Sequence, residues 1–200
     1  MRIEFLKRTT FLISPVLLFL GCNSYDPVPK PTGYLRIDLP EKSYRAYESD
    51  CPFTFDYPTY AEIITSDPML REKCWMNINF PAFKGNLHVS YKPVTDNLQQ
   101  YLEDSYQFKV KHMSMATAFE DSLITDPERK VYGMAFQIKG ERTASPYQFF
   151  LTDSVHHFLR ASLYFRVSPN NDSLAPVIDF LEKDFERMIS SFRWKENETP

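Results

Sequence analysis

Apolar residues recur with a period of two through several short runs and with a period near 3.6 through two longer ones. Phe53, Phe55 and Tyr57 share one side of a run that ends at Pro58, and Met76, Ile78 and Phe80 alternate with Trp75, Asn77 and Asn79 up to Pro81. Leu87, Val89 and Tyr91 form a third run, with Lys84-Gly85-Asn86 as the hairpin turn before it and a further short strand expected at 61–65. Tyr132, Met134, Phe136 and Ile138 alternate over 132–139, and strands follow at 148–152 and 155–167 around a turn at Asp153-Ser154. The last has two distinct faces: Leu159, Ala161, Leu163, Phe165 and Val167 point inward, while Arg160, Ser162, Tyr164 and Arg166 point outward.

Two segments carry the helical period. The first covers 97–115, with Asp96 as N-cap, Gln99 returning the bond, and Leu98, Tyr101, Leu102, Ser105 and Phe108 on its inner face. The second is marked by a stripe of Leu174, Val177, Ile178, Leu181, Phe185, Met188, Ile189 and Phe192, capped by Asp172 or Ser173, with Pro176 in its first turn. Two blocks of antiparallel strands, each followed by a helix, predict an α+β sandwich of two or three layers, an antiparallel sheet covered by helices. This order of elements resembles that of the PsbP-like sandwich.

The N-terminus has a different pattern. Arg2, Lys7 and Arg8 precede a ten-residue apolar run from Phe11 to Leu20, the layout of an export signal. Such a run reaches about 15 Å as a helix, half of the roughly 30 Å hydrocarbon core, so it does not span a bilayer. It ends in Phe19-Leu20-Gly21-Cys22, which resembles the lipobox of bacterial lipoproteins, although Phe19 stands where leucine is usual. Read so, residues 1–21 are removed and Cys22 becomes an acylated, palmitate-bearing N-terminus; the competing reading is an ordinary secretory signal. More than one acyl chain makes such an anchor stable, at about 0.8 kcal/mol for each buried methylene. Pro27, Pro29 and Pro31 make 22–33 an extended tether, and 34–200 the folded domain. Asp26 alone provides acid in the tether, short of a dense acidic surface-export tag, so the anchor is expected to face the periplasm, at the outer membrane.

Composition narrows the function. The 200 residues carry a formal charge of -3, and losing Arg2, Lys7 and Arg8 together with Glu4 leaves the mature chain two charges more negative. Mixed signs without a basic stripe exclude nucleic acid as a natural partner. The five glycines are too widely spaced for a dinucleotide fingerprint or a phosphate loop. None of the four histidines stands in a metal-ligating spacing, and no nucleophile elbow occurs, so neither a metal, a cofactor nor a catalytic set is expected. His156 and His157, adjacent in a strand, point to opposite faces.

Cys51 and Cys74 form an even pair in an oxidising compartment, a disulfide candidate closing a loop worth roughly 3 kcal/mol. A simple meander would separate them by two ladder spacings, about 9.6 Å, too far to bridge unless loop positions close the gap. Two buried thiols are the alternative. The outward row of Arg160, Ser162, Tyr164 and Arg166, with His156, either binds an acidic partner or is a solvated sheet face. Ser122, Ser154 and Ser173 each follow an aspartate and precede an aliphatic residue, a short O-glycan acceptor pattern that local turn and cap chemistry explains equally well.

Several longer blocks resemble the gliding-motility lipoprotein GldD family: Gly33 to Pro40, Cys51 to Pro58, Cys74 to Pro81, Ala144 to Ser154, and His157 to Arg160. The resemblance implies a lipid-anchored envelope protein needed for movement over surfaces and tied to type IX secretion. It implies other gliding and secretion proteins as partners and no enzymatic activity. Two modes of action stand open, a scaffold with a filled core and a periplasmic module with a pocket for an envelope glycan or lipid; a hydrolase with a dispersed triad is a third.

Overall fold

The computed structural model describes residues 37–68, 70 and 72–195; Cys22, the signal segment 1–21 and the tether 22–33 lie outside the described residues. In chain order the elements are β1 (Tyr44–Tyr47), β2 (Phe53–Pro58), β3 (Glu62–Ile64), β4 (Met76–Phe80), β5 (Gly85–Pro93), α1 (Leu98–Val110), β6 (Ala118–Asp126), β7 (Val131–Lys139), β8 (Tyr147–Thr152), β9 (His157–Phe165), α2 (Asn171–Ser191) and β10 (Arg193–Trp194). An antiparallel seven-stranded sheet has the order β3-β4-β5-β9-β8-β7-β6, and a three-stranded sheet the order β1-β2-β10. The protein is α+β, as the alternation predicts.

Strand register explains how one face of the large sheet closes. Leu87 lies opposite Leu163, Val89 opposite Ala161, and Leu159 opposite Leu151, so a single face collects aliphatic side chains. Val177, Leu181, Phe185 and Met188 of α2 are buried in the same core, joined by Phe53 and Phe55 of β2 and by Phe192. Phe53 and Phe55 stack within 5.8 and 6.4 Å of Phe192, which ties the small sheet to the end of α2. Burying each such side chain fully contributes about 1.5–3 kcal/mol.

Polar groups fasten α2 at two places. Asp184, 1% exposed, accepts from Tyr44 Oη at 2.9 Å and from Tyr60 Oη, and pairs with Lys42 Nζ at 2.7 Å. Burial and the bond to Asp184 push the Tyr44 phenol up to about 12 and raise that of Tyr60. At the other end Arg129, held by Asp126, donates through Nη1 to the carbonyls of Ser190 at 2.5 Å and Phe192 at 3.0 Å, where an α-helix leaves acceptors unpaired.

Several local expectations are corrected. The first helix stops at Val110, not at Met115; Asp96 takes φ 60° and does not cap it, Asn97 does so without a side-chain bond, and Gln99 bonds Glu103. Its inner face is also rotated: Phe108 is exposed while Lys109 is buried. Asn170, not Asp172 or Ser173, caps α2, accepting from the Ser173 N–H, which places Pro176 in the second turn. The β4–β5 connection is a 3-10 turn at Pro81–Phe83 closed by Lys84 in the left-handed region, and Gly85-Asn86 already belong to β5. Strand β6 was not expected because its residues are mostly exposed and lack alternation. β2 leaves the large sheet, so the meander that separated Cys51 from Cys74 does not exist; their Cα atoms stand 5.6 Å apart in a disulfide.

Candidate functional site: a polar cleft between sheet and helix

The opposite face of the seven-stranded sheet has a different composition. One row runs straight across it in register: Asn77 opposite His88, His88 opposite Ser162, Ser162 opposite Gln148, Gln148 opposite Phe136, Phe136 opposite Asp121. A neighbouring row sets Asn79 opposite Asn86 and Asn86 opposite Tyr164, and a third sets Ser90 opposite Arg160 and Arg160 opposite Phe150. The face is therefore polar over β4, β5 and β9 and, apart from Gln148, apolar where Phe150 of β8 and Phe136 of β7 stand.

Helix α1 covers the apolar part. Tyr101 packs on Phe158 with centroids 5.4 Å apart. Lys109 lies 4.9 Å from the Phe136 ring and pairs with Asp121 at 2.5 Å, which satisfies its charge beneath the helix. The polar part is left as a cleft of about 770 Å³, floored by Asn77, Asn86, His88, Ser90 and Ser162. Trp75, Tyr101, Phe108 and Tyr164 form its aromatic walls, and Lys92, Arg160, Arg166, Asp67 and Asp104 bring charges of both signs.

Hydrogen bonds fix the roles of several of these groups. Asn77 donates from Nδ2 to Asp67 Oδ2 at 3.1 Å, so its Oδ1 faces His88 and the imidazole donates through Nδ1 at 2.5 Å. Burial, with Arg166 nearby, holds His88 below the ordinary imidazole value, so at neutral pH the ring is uncharged and Nε2 is its acceptor. Arg160 lies 4.3 Å from the Phe108 ring and donates to Gln148 Oε1 at 2.7 Å; burial lowers its pKa. Arg166 reaches Asn79 Oδ1 at 3.3 Å.

Among the described residues, three buried side-chain atoms on this face make no hydrogen bond: Asn86 Oδ1, Gln148 Nε2 and Ser162 Oγ, in residues 5%, 1% and 2% exposed. A buried polar group without a partner costs about 1–3 kcal/mol, so a cluster of them calls for an explanation. Ser162 lies opposite His88 in register, yet its Oγ bonds nothing, so the pair is not an assembled nucleophile and base. Among the described residues no three His, Cys, Asp or Glu converge as a metal site would require.

Of the outward row expected from sequence, Arg160, Ser162, Tyr164 and Arg166 come together here, lining a cleft instead of a flat solvated face. His156 does not join them. It is exposed beyond the start of β9, with Asp153 3.7 Å away, while His157 turns inward to Tyr91 Oη at 2.8 Å and stacks on Trp194. Ser122, Ser154 and Ser173 are all exposed, on an edge strand, in a left-handed turn and in the first turn of α2 respectively. The cleft residues that sequence reading passed over are Asn77, Asn86 and His88. The signal was present in type: the residues alternating with Ile78 and Phe80 in β4 and with Leu87 and Val89 in β5 are Asn77, Asn79, Asn86, His88 and Ser90, amides, a hydroxyl and an imidazole instead of lysine and glutamate.

A family model described as "Gliding motility lipoprotein GldD" matches residues 24–194. No curated protein matches the chain. Among solved structures, the solution structure of cyanobacterial PsbP (CyanoP) from Synechocystis sp. PCC 6803 is similar at 14% identity and a TM-score of 0.46, over 78% of this chain and 95% of that one. Among the described residues no helix is long and apolar enough to cross a membrane.

Proposed function

The chain belongs to the gliding motility lipoprotein GldD family, and from that premise we propose that it is a non-enzymatic envelope component of the gliding apparatus, tied to type IX secretion, that works by binding through its polar cleft. Cys22 carries the acyl anchor, residues 22–33 the tether and residues 34–200 the binding domain. The anchor faces the periplasm at the outer membrane, which confines the domain to two dimensions and raises its effective concentration near other gliding and secretion proteins. The observation that carries the reading is the cleft itself. A scaffold needs only a filled core, and the α2 face provides one; the face under α1 keeps an open polar volume with unpaired buried groups.

The test is deletion of the gene in the native host, with surface spreading and delivery of secreted adhesins scored together. Both are expected to be lost, and both to return with a plasmid copy. Return of both with a Cys22→Ala copy exported by a non-lipoprotein signal, at normal protein level, would refute the role of the anchor. Persistence of both traits in the deletion strain would refute the role in gliding and secretion.

A further inference from the structure

We infer that the cleft binds a short saccharide, an uncharged polyhydroxylated ligand whose hydroxyls pair with Asn86 and Ser162. The inference rests on the cleft being the working surface of the protein, and it names the chemistry recognised there. Asn86 Oδ1 can only accept, and Ser162 Oγ can both donate and accept. An anion would use the donors and be opposed by Asn86 Oδ1, Asp67 and Asp104; a cation would meet Lys92, Arg160 and Arg166. A hydroxyl donates and accepts at the same atom, and a sugar ring presents several at fixed spacing, so one ligand satisfies the whole set.

The surroundings fit the same class. The neutral His88 offers Nε2 as a further acceptor, while its Nδ1 and the Asn77 amide are locked by their bonds to each other and to Asp67. Trp75, Tyr101 and Tyr164 supply apolar walls for the C–H faces of a sugar ring. Lys92 is drawn off to Glu72 at 2.5 Å and Arg160 to Gln148 Oε1, so the cations nearest the floor are already engaged. The volume is within the roughly 300–1,000 Å³ of ligand pockets.

The experiment titrates the mature lipidated protein in detergent with three probes that separate the sources of such a ligand. These are the neutral disaccharide of two N-acetylglucosamine units, standing for the peptidoglycan backbone, the neutral fraction of O-linked oligosaccharide released from envelope glycoproteins, and the neutral outer hexose oligosaccharide of lipopolysaccharide, freed of its acidic and phosphorylated sugars. At least one is expected to bind, and Ser162→Ala and Asn86→Ala each to weaken it about fivefold to tenfold, the worth of one hydrogen bond. Tyr164→Ala, on the half-exposed wall, is expected to weaken it comparably, and His156→Ala to leave it unchanged. Failure of all three probes to bind at millimolar concentration overturns the inference, as does binding indifferent to all three cleft substitutions in variants that unfold at the wild-type temperature. The same variants in the deletion strain keep the two readings apart. Lost spreading with no saccharide bound sinks the saccharide and leaves the cleft as the working surface. Saccharide binding by the wild type that the variants weaken, with normal spreading by those same variants, sinks the role of the cleft in gliding and supports the saccharide.

Discussion

Beneath α2, the seven-stranded sheet presents Leu87, Val89, Leu159, Ala161 and Leu163 to Val177, Leu181, Phe185 and Met188, and every one of these side chains is buried among other apolar groups. On the reverse of the same strands, one residue along, stand Asn86, His88, Arg160 and Ser162, roofed only in part by α1, with buried polar atoms left unpaired. The backbone is common to both faces, so the difference is made entirely by side-chain choice at alternate positions. One face is finished for stability. The other carries buried polar atoms, Asn86 Oδ1 and Ser162 Oγ, with no partner among the described residues, and that surplus is what the proposed ligand would satisfy.

The contrast makes its largest prediction for the closed face. Leu181→Ala is expected to cost about 2–5 kcal/mol, because the removed methyl groups leave a cavity between α2 and the sheet; chemical denaturation reads this directly. Next in size, the Cys51→Ser, Cys74→Ser double variant should lose roughly 3 kcal/mol, the loop-closure entropy of its 23-residue separation, and a reducing agent should lower the stability of the wild type alone. A double variant as stable as the wild type would show that the bond does not hold the small sheet to the large one.

A smaller, graded effect follows from protonation. Burial lowers the pKa of His88, His112 and His157; Arg166 adds to this for His88 and Arg160 for His112, whereas Asp153 opposes it for His157. These rings bind protons more readily unfolded than folded, so stability is complete above their ordinary pKa of about 6.5. It falls as pH drops below that value, and the fall ends below the folded-state values. Thermal unfolding followed from about pH 7.5 downward checks the sign. Asp153 titrates in a lower window: burial alone would raise it, but N–H groups of Val155, His156 and His157 outweigh that, and their contribution is lost only as pH falls through its depressed value. The smallest loss belongs to Ser162→Ala, which should leave the unliganded protein as stable as the wild type or more so, because the buried hydroxyl has no bond to lose. A clear loss of stability would mean that Ser162 is structural and the two faces are less different than they look.

The same contrast governs how much was legible in the sequence. The stripe of α2 could be read because a helix buried along one face must repeat its apolar residues, and it follows the stripe from Leu174 to Phe192. α1 lies half over apolar residues and half beside a polar cleft, so its period is weak; reading Phe108 as inner and missing Lys109 was the consequence. Lys109 is buried through its pair with Asp121 on β6, a strand whose exposed edge position removed the alternation that would have revealed it. Arg160 to Arg166 could be read as one row because they lie on one strand. Their partners Asn77, Asn86 and Gln148 come from three others, and only sheet order and register bring them together.

The most direct test of the central claim, that the polar face works while the apolar face only stabilises, is complementation of the deletion strain by a Tyr164→Ala, Arg166→Glu double variant. Arg166 is exposed and Tyr164 only half-buried, so the fold should tolerate both changes. His156→Ala serves as a matched control outside the cleft. The account predicts normal protein level and normal unfolding for both, spreading restored by the control, and spreading lost in the double variant. Full spreading by the double variant would contradict it.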